Sequence, residues 1–233
     1  MQRNDFHWLR RAAVVALVGA VCGCSSPQPP RDAPRETIPS VAPSAPDDVL
    51  SADMIARLNP QISPAVARAI EFVLRQPSDH PRAAVLDFSA HSSTPRFHLV
   101  DRMSGRVLQS FRVAHGHASE GPRNDGYAEV FSNVPDSNTS SLGLYRTAET
   151  YISAVYPGLA MRMDGLSPTN SNARSRFIVI HAAKYMEPEP SKGKKAWRPG
   201  LSDGCFVFSK ADRDAVASSL EGGALIYAIY ERP

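Results

Sequence analysis

The chain has 233 residues, of which 42% are hydrophobic, and a formal net charge of +3 at pH 7. This length and apolar content suit one medium-sized domain together with a targeting region. The first 23 residues hold three arginines and one aspartate, so the remainder carries 23 basic and 22 acidic side chains. A near-neutral chain without a sustained basic surface does not indicate a nucleic-acid partner.

Residues 1–23 have the layout of a signal peptide. Three arginines precede an apolar run over residues 12–21, which is too short to span a bilayer. The sequence V-C-G-C-S-S that follows resembles a bacterial lipobox, with Cys24 as the lipidated first residue of the mature chain. This resemblance implies an outer-membrane lipoprotein that faces the periplasm. The alternative is an ordinary secretory signal with an incidental cysteine.

Residues 24–50 are rich in proline and poor in apolar side chains, which predicts an extended tether. A helical segment is expected over residues 51–78, and the main domain over residues 79–233. The first helix is predicted from Ser51 to Leu58. The second begins at Ser63-Pro64, where serine supplies the N-cap and proline occupies the first helical position.

The main domain reads as a series of short strands. They are predicted at residues 84–88, 97–101, 106–114, 160–163, 176–181, 206–208 and 224–230. One helix interrupts them, capped by Ser209 and running to about Leu220. Many short strands with turn-rich connections predict a mainly β fold, a sandwich or an open barrel with peripheral helices.

Residues 114–145 are unusually polar. The segment is a candidate groove for a polar, peptide-like ligand, and a solvated loop is the alternative. Its H-x-H motif, His115 and His117, could form a zinc site with His181 and Asp125, which would make the protein a metallopeptidase. The other interpretation places one histidine inside the groove and one at its rim.

The stretch from Arg176 to Phe208 carries the clearest chemical signal. An apolar strand ends on His181, and Cys205 follows 24 positions later, just before another apolar segment. If Cys22 is cut away and Cys24 is acylated, Cys205 is the only free thiol, so it cannot form an internal disulfide. A histidine and a cysteine at the ends of adjacent strands are the minimal parts of a thiol acyl-transfer site. The alternative role for this cysteine is a small buried hydrophobic residue.

Four sequence blocks in order resemble the YkuD-like L,D-transpeptidases, the murein L,D-transpeptidase catalytic domain family. They are V-A-H-G at 113–116, F-S-N-V-P-D-S-N-T-S-S-L-G-L-Y at 131–145, R-F-I-V-I-H-A-A-K-Y at 176–185 and S-D-G-C at 202–205. The resemblance implies an L,D-transpeptidase-type β-sandwich. It also implies a cysteine that cleaves an L,D peptide bond of a peptidoglycan stem, forms a thioester and passes the acyl group to an amine of a second stem.

The resemblance assigns roles to residues of this chain. Cys205 falls on the nucleophile and His181 on the general base, while Ser202 and Gly204 complete the nucleophile motif. Either Ser202 or a backbone carbonyl is expected to orient the imidazole, and backbone N–H groups of Gly204 and Cys205 are expected at the oxyanion. The expected substrate-binding residues are His115, Ser132, Asn133, Ser140, Ser141, Tyr145, Tyr185 and Arg198. Plain structural turns are the alternative for those between 132 and 145.

The expected partners are peptidoglycan stem peptides, with the outer membrane reached through the lipid anchor, and no cofactor is implied. The segment 184–198 is either a basic lid over the site or a solvated surface loop. Asp203 and Ala182 stand where many family members have histidine and serine or glycine. Two other functions therefore stay open, a hydrolase that uses the same thioester and a catalytically degenerate cell-wall-binding lipoprotein. Carbapenems are expected to acylate Cys205 in an active enzyme.

Overall fold

The computed structural model describes residues 50–156, 158–187 and 201–231. The predicted signal peptide, the lipidation site Cys24 and all but the last residue of the predicted tether lie outside the described residues. So do Arg198 and the rest of the predicted lid beyond Glu187.

Three α-helices and eight strands, with two 3₁₀ turns at His117–Ser119 and Lys184–Met186, make up the described fold. The helices are α1 (Ala52–Leu58), α2 (Pro64–Arg75) and α3 (Lys210–Leu220). The strands are β1 (Arg82–Asp87), β2 (Phe97–Asp101), β3 (Val107–Phe111), β4 (Gly143–Ser153), β5 (Gly158–Gly165), β6 (Val179–Ala182), β7 (Phe206–Phe208) and β8 (Leu225–Ile229). No helix in the described ranges is long and apolar enough to cross a membrane.

Each helix begins at a serine whose hydroxyl accepts a backbone N–H of the first turn, which satisfies one otherwise unpaired donor. Ser51 accepts from Met54, and Ser63 accepts from Val66 with Pro64 at the start of α2. Ser209 accepts from the N–H of Asp212 at the start of α3. The three predicted helix starts are therefore confirmed.

The eight strands form one mixed sheet in the order β3-β2-β1-β8-β4-β5-β6-β7. Neighbouring strands are antiparallel except for the pairs β1–β8 and β6–β7, which are parallel. The predicted mainly β fold with peripheral helices is confirmed.

The sheet curves so that strands near its two ends meet. The rings of Phe97 on β2 and Phe208 on β7 lie 5.2 Å apart although several strands separate them in the sheet. The N–H of Ala114, beyond the end of β3, donates to the carbonyl of Val207 on β7 at 2.9 Å. The curvature encloses a main hydrophobic core to which α3 contributes, and α2 covers a second core made with β1 and β8.

The sheet differs from the prediction in one missed strand and in the start of another. The long strand β4, which lies between β5 and β8, was not predicted, because the sequence from Gly143 to Ser153 alternates polar and apolar residues only in part. The strand that leads to His181 begins at Val179 rather than at Arg176. Phe177 has a left-handed φ of 56° and is 69% exposed, so the chain turns there instead of extending.

Candidate active site

His181 and Cys205 are brought together by the parallel pair β6–β7. In that pair Ile180 is opposite Phe206 and His181 is opposite Val207. Cys205 precedes Val207 by two residues, so its side chain lies on the same face of the sheet as that of His181. Both side chains line one cavity of about 470 Å³. The predicted Cys/His juxtaposition is therefore present in the fold.

Aromatic and charged side chains complete the cavity wall. Tyr156 and Tyr185 supply the aromatic surface, and burial raises the pKa of Tyr185 to about 12. The charged wall residues are Lys184, Glu187, Asp203 and Lys210. A mixed polar and apolar cavity of this size accommodates a short segment of peptide.

The Cys205 thiol is nearly enclosed, with 4% of the residue exposed. Its Sγ lies 3.5 Å from the carbonyl oxygen of Phe177 and 4.0 Å from the hydroxyl of Tyr156. Burial raises the pKa of the Cys205 thiol, partly offset by hydrogen bonds from the Val179 N–H and from Tyr156. The resting thiol is therefore protonated at neutral pH and needs a base for activation.

His181 is the candidate base, because it lines the same cavity as the thiol. Its Nδ1 donates to the Ala182 carbonyl at 3.1 Å, which leaves Nε2 as the acceptor nitrogen. Of the two groups considered for orienting the imidazole, the backbone carbonyl is the one observed. Burial lowers the pKa of His181. The hydrogen bond to the Ala182 carbonyl offsets part of this effect, and the cation of Arg213 makes a smaller contribution that also lowers the pKa. The imidazole is consequently neutral at pH 7 and able to accept a proton.

Ser202 shapes the Cys205 loop, residues 202–205, instead of orienting the imidazole. Its hydroxyl donates to the Cys205 carbonyl at 2.9 Å and accepts the Gly204 N–H at 3.1 Å. Its backbone N–H donates to the His115 carbonyl at 2.9 Å, and its carbonyl accepts from His117 at 2.7 Å. The Gly204 N–H expected at the oxyanion is thus engaged within the loop.

Arg176 is a structural residue of the site that the sequence interpretation missed. Its guanidinium donates to the carbonyls of Ser132 at 2.8 Å and Thr139 at 2.7 Å, and to the hydroxyl of Ser137 at 3.2 Å. It also lies close enough to Cys205 to lower the pKa of the thiol. Arg176 therefore holds the 132–139 segment in place. The sequence signal that could have identified it is its place directly before the apolar run at residues 177–180.

Three of the expected groove residues lie in the interior. Ser140 is fully buried, and its hydroxyl accepts the Gly116 N–H at 3.0 Å. The Tyr145 hydroxyl donates to the Ser141 carbonyl at 2.8 Å, and burial raises the pKa of Tyr145 to about 12. Ser140, Ser141 and Tyr145 hold the turn before β4 and do not line the cavity.

Two further expected groove residues also bond within the protein. Asn133 donates from its amide to the Pro168 carbonyl at 3.0 Å and accepts the Asn172 N–H at 3.0 Å. The Ser132 hydroxyl accepts the Val134 N–H at 3.1 Å. These contacts fit the alternative of structural turns. Tyr185, by contrast, is 41% exposed and lines the cavity.

The two histidines of the H-x-H motif have separate surroundings. His115 is fully buried, with its Nδ1 accepting from Arg96 at 2.8 Å and its Nε2 bonded to Glu120 at 3.0 Å. Burial lowers the pKa of Arg96 to about 9. His117 is half-exposed and pairs with Asp203 at 3.2 Å. Within the described ranges no group of three or more His, Cys, Asp or Glu side chains could hold a metal ion.

Comparison with known proteins gives one family. Residues 56–229 match the family described as the L,D-transpeptidase catalytic domain. No curated protein matches the chain.

Several solved structures are similar to the chain. An L,D-transpeptidase from Stackebrandtia nassauensis is 13% identical with a TM-score of 0.37, and the match covers 72% of this chain and 68% of that one. An L,D-transpeptidase from Mycobacterium smegmatis is 14% identical with a TM-score of 0.37, and the match covers 64% and 58% of the two chains. Mycobacterium tuberculosis L,D-transpeptidase 1 is 13% identical with a TM-score of 0.35, and the match covers 64% and 62%. These structural likenesses are too weak to add to the family match.

Proposed function

Because the chain belongs to the L,D-transpeptidase catalytic domain family, we propose that it is a peptidoglycan L,D-transpeptidase with Cys205 as nucleophile and His181 as general base. The observation that carries the proposal is the shared cavity, in which a buried thiol and a neutral imidazole lie on one face of the β6–β7 pair. Both groups have the protonation states that a base-activated thiol requires.

In the proposed first half-reaction, the thiol transfers its proton to Nε2 of His181 as Sγ attacks the carbonyl carbon of an L,D peptide bond in a stem peptide. The tetrahedral intermediate collapses with cleavage of the C–N bond. The leaving amine takes the proton from the imidazolium. The products are a thioester on Cys205 and the released part of the stem.

In the second half-reaction, an amine of another stem attacks the thioester carbonyl, and His181 accepts a proton from that amine. The C–S bond breaks, the thiolate is reprotonated and a new amide crosslinks the two stems. Water in place of the amine would give hydrolysis. Tyr185 remains a proposed substrate contact because it lines the same cavity. Arg198 remains a proposal from the sequence.

We further propose that the enzyme acts in the cell envelope and is held there through an acylated Cys24. The support is the lipobox-like V-C-G-C-S-S sequence alone. Metabolic labelling with a radioactive fatty acid should mark the wild-type chain and not Cys24→Ser. Equal labelling of the two would contradict the anchor without bearing on the catalytic site.

Defined muropeptides test the proposed reaction. The full chain is incubated with a purified muropeptide, and the products are analysed by mass spectrometry. A crosslinked dimer that Cys205→Ala does not form is the expected result. A shortened stem alone would assign hydrolysis, and an unchanged substrate would overturn the enzymatic proposal in favour of binding only.

A further inference from the structure

Tyr156 contacts both members of the proposed catalytic pair. Its ring stacks on the His181 imidazole with the centroids 3.7 Å apart and the planes 18° from parallel. Its hydroxyl lies 4.0 Å from Cys205 Sγ, within hydrogen-bond distance for sulfur. We propose that Tyr156 is a third catalytic residue, whose hydroxyl donates a hydrogen bond to the Cys205 thiolate. The role of this thiolate in turnover rests on the proposed function.

A serine in the β4–β5 hairpin places the tyrosine. Ser153 ends β4, and its hydroxyl accepts the backbone N–H groups of Val155 at 3.1 Å and Tyr156 at 2.9 Å. Ser153 is also paired with Gly158 at the start of β5. These contacts fix the turn that carries Tyr156. Its half-buried ring therefore enters the cavity from the β4–β5 pair, which carries neither His181 nor Cys205.

The stack leaves the imidazole free to act as a base. A stacked ring covers one face of the imidazole, whereas proton transfer takes place at the ring edge. On that edge Nδ1 is held by the Ala182 carbonyl, and the tyrosine contact does not compete for Nε2. The ring thus restricts the orientation of His181 without consuming its acceptor nitrogen.

The phenol is a donor throughout the working pH range. Burial and the negative charge that develops on Cys205 raise the pKa of Tyr156, so its hydroxyl keeps its proton. A hydrogen bond to an ion is stronger than one to a neutral group, and it favours the thiolate over the thiol. The other titratable or charged groups that act on the thiol or on the phenol are Arg176, Asp203, Tyr185 and Tyr151, with His181 in contact with the phenol ring.

Site-resolved alkylation tests the inference without any peptidoglycan substrate. The full chain is treated with iodoacetamide across a pH series, and the modified Cys205 peptide is quantified by mass spectrometry. Tyr156→Phe keeps the ring that stacks on His181 but removes the hydroxyl near Cys205 Sγ. Tyr227→Phe is the matched control, because Tyr227 packs on Phe72 in the second core, where α2 covers the sheet.

In Tyr156→Phe we expect alkylation at neutral pH to be about tenfold slower and the pH midpoint to move upward, as the loss of one hydrogen bond to an ion predicts. Tyr227→Phe should match the wild type. The same rate and midpoint in Tyr156→Phe and the wild type would overturn the inference, provided that circular dichroism shows the variant to be folded. A shift in alkylation together with no action on muropeptides would support the tyrosine and reject the transpeptidase proposal.

Discussion

Gly204 lies so close to the Thr139 carbonyl oxygen that a Cβ at position 204 would be 2.5 Å from it. Gly204 also has a φ of +112°, which side chains rarely adopt. The residue before the proposed nucleophile is therefore packed directly against the 132–139 segment that Arg176 holds. This contact connects the polar middle of the chain to the proposed catalytic site through backbone packing.

Gly204→Ala should displace the Cys205 loop. Since both the φ and the close carbonyl oppose a side chain, we expect the free energy of unfolding to fall by about 2 kcal/mol. Activity should fall by about 10²-fold, because a small misplacement of a reacting group has a large effect on rate. Gly222→Ala is the control, with a φ of +95° but no atom within 4 Å of the added carbon. Equal losses of stability and activity in the two variants would contradict the role of the Gly204–Thr139 contact.

Arg176→Lys should loosen the 132–139 segment, against which Gly204 packs. Lysine keeps the charge but cannot reproduce the fork of bonds to Ser132, Ser137 and Thr139. We expect a loss of about 2 kcal/mol in urea unfolding. Arg174→Lys is the control, because its pairs with Asp164 and Glu149 are exposed to solvent and should change the free energy of unfolding much less. If Arg176→Lys unfolded with the same free energy as the wild type, Arg176 would not stabilise the 132–139 segment as we propose.

The pH dependence of the reaction should report His181. Protonated imidazole cannot accept the thiol proton, so activity falls as the pH drops through the pKa of His181. Because burial lowers that pKa, the midpoint of the acid limb should lie below the ordinary value of 6.5. His181→Gln should reduce kcat/KM by about 10²–10⁴-fold and remove this limb. If the midpoint of the acid limb lay above 6.5, it would contradict a buried, neutral His181 as the base.

Glu120→Gln should destabilise the fold. Glu120 and Arg96 bond opposite sides of the buried His115, so the change removes a negative charge near an enclosed guanidinium. Thermal or urea unfolding should show a loss of about 3 kcal/mol, the range for breaking a buried ionic network. Glu231→Gln, which breaks an exposed pair with Arg68, should cost under about 1 kcal/mol. A similar, small effect of both changes would refute the structural importance of the network.

Local sequence signals predicted much of the fold. Serine caps gave the helix starts, and the strand at residues 97–101 has the predicted bounds. The strand β4 was missed because its pairing with β5 and β8 depends on distant residues and its own polar/apolar alternation is weak. Tertiary packing decides such a strand more than its own residues do.

For the site, the sequence predicted that His181 and Cys205 lie together but not what surrounds them. His181 and Cys205 could be placed together because each lies at the border of an apolar run. The contacts of Tyr156 and Arg176 join segments far apart in the chain, and spacing carries no signal for such contacts. The serines near β4 were expected at a groove because polarity alone does not distinguish a ligand-facing hydroxyl from one that closes a turn.

Trapping the acyl-enzyme tests the central claim most directly. The full chain and Cys205→Ala are mixed with a defined muropeptide, quenched in acid and examined by intact-protein and peptide mass spectrometry. The account predicts a stem-peptide adduct on Cys205 that hydroxylamine removes and that the alanine variant lacks. Turnover by the wild type without such an adduct, or turnover by Cys205→Ala, would contradict it.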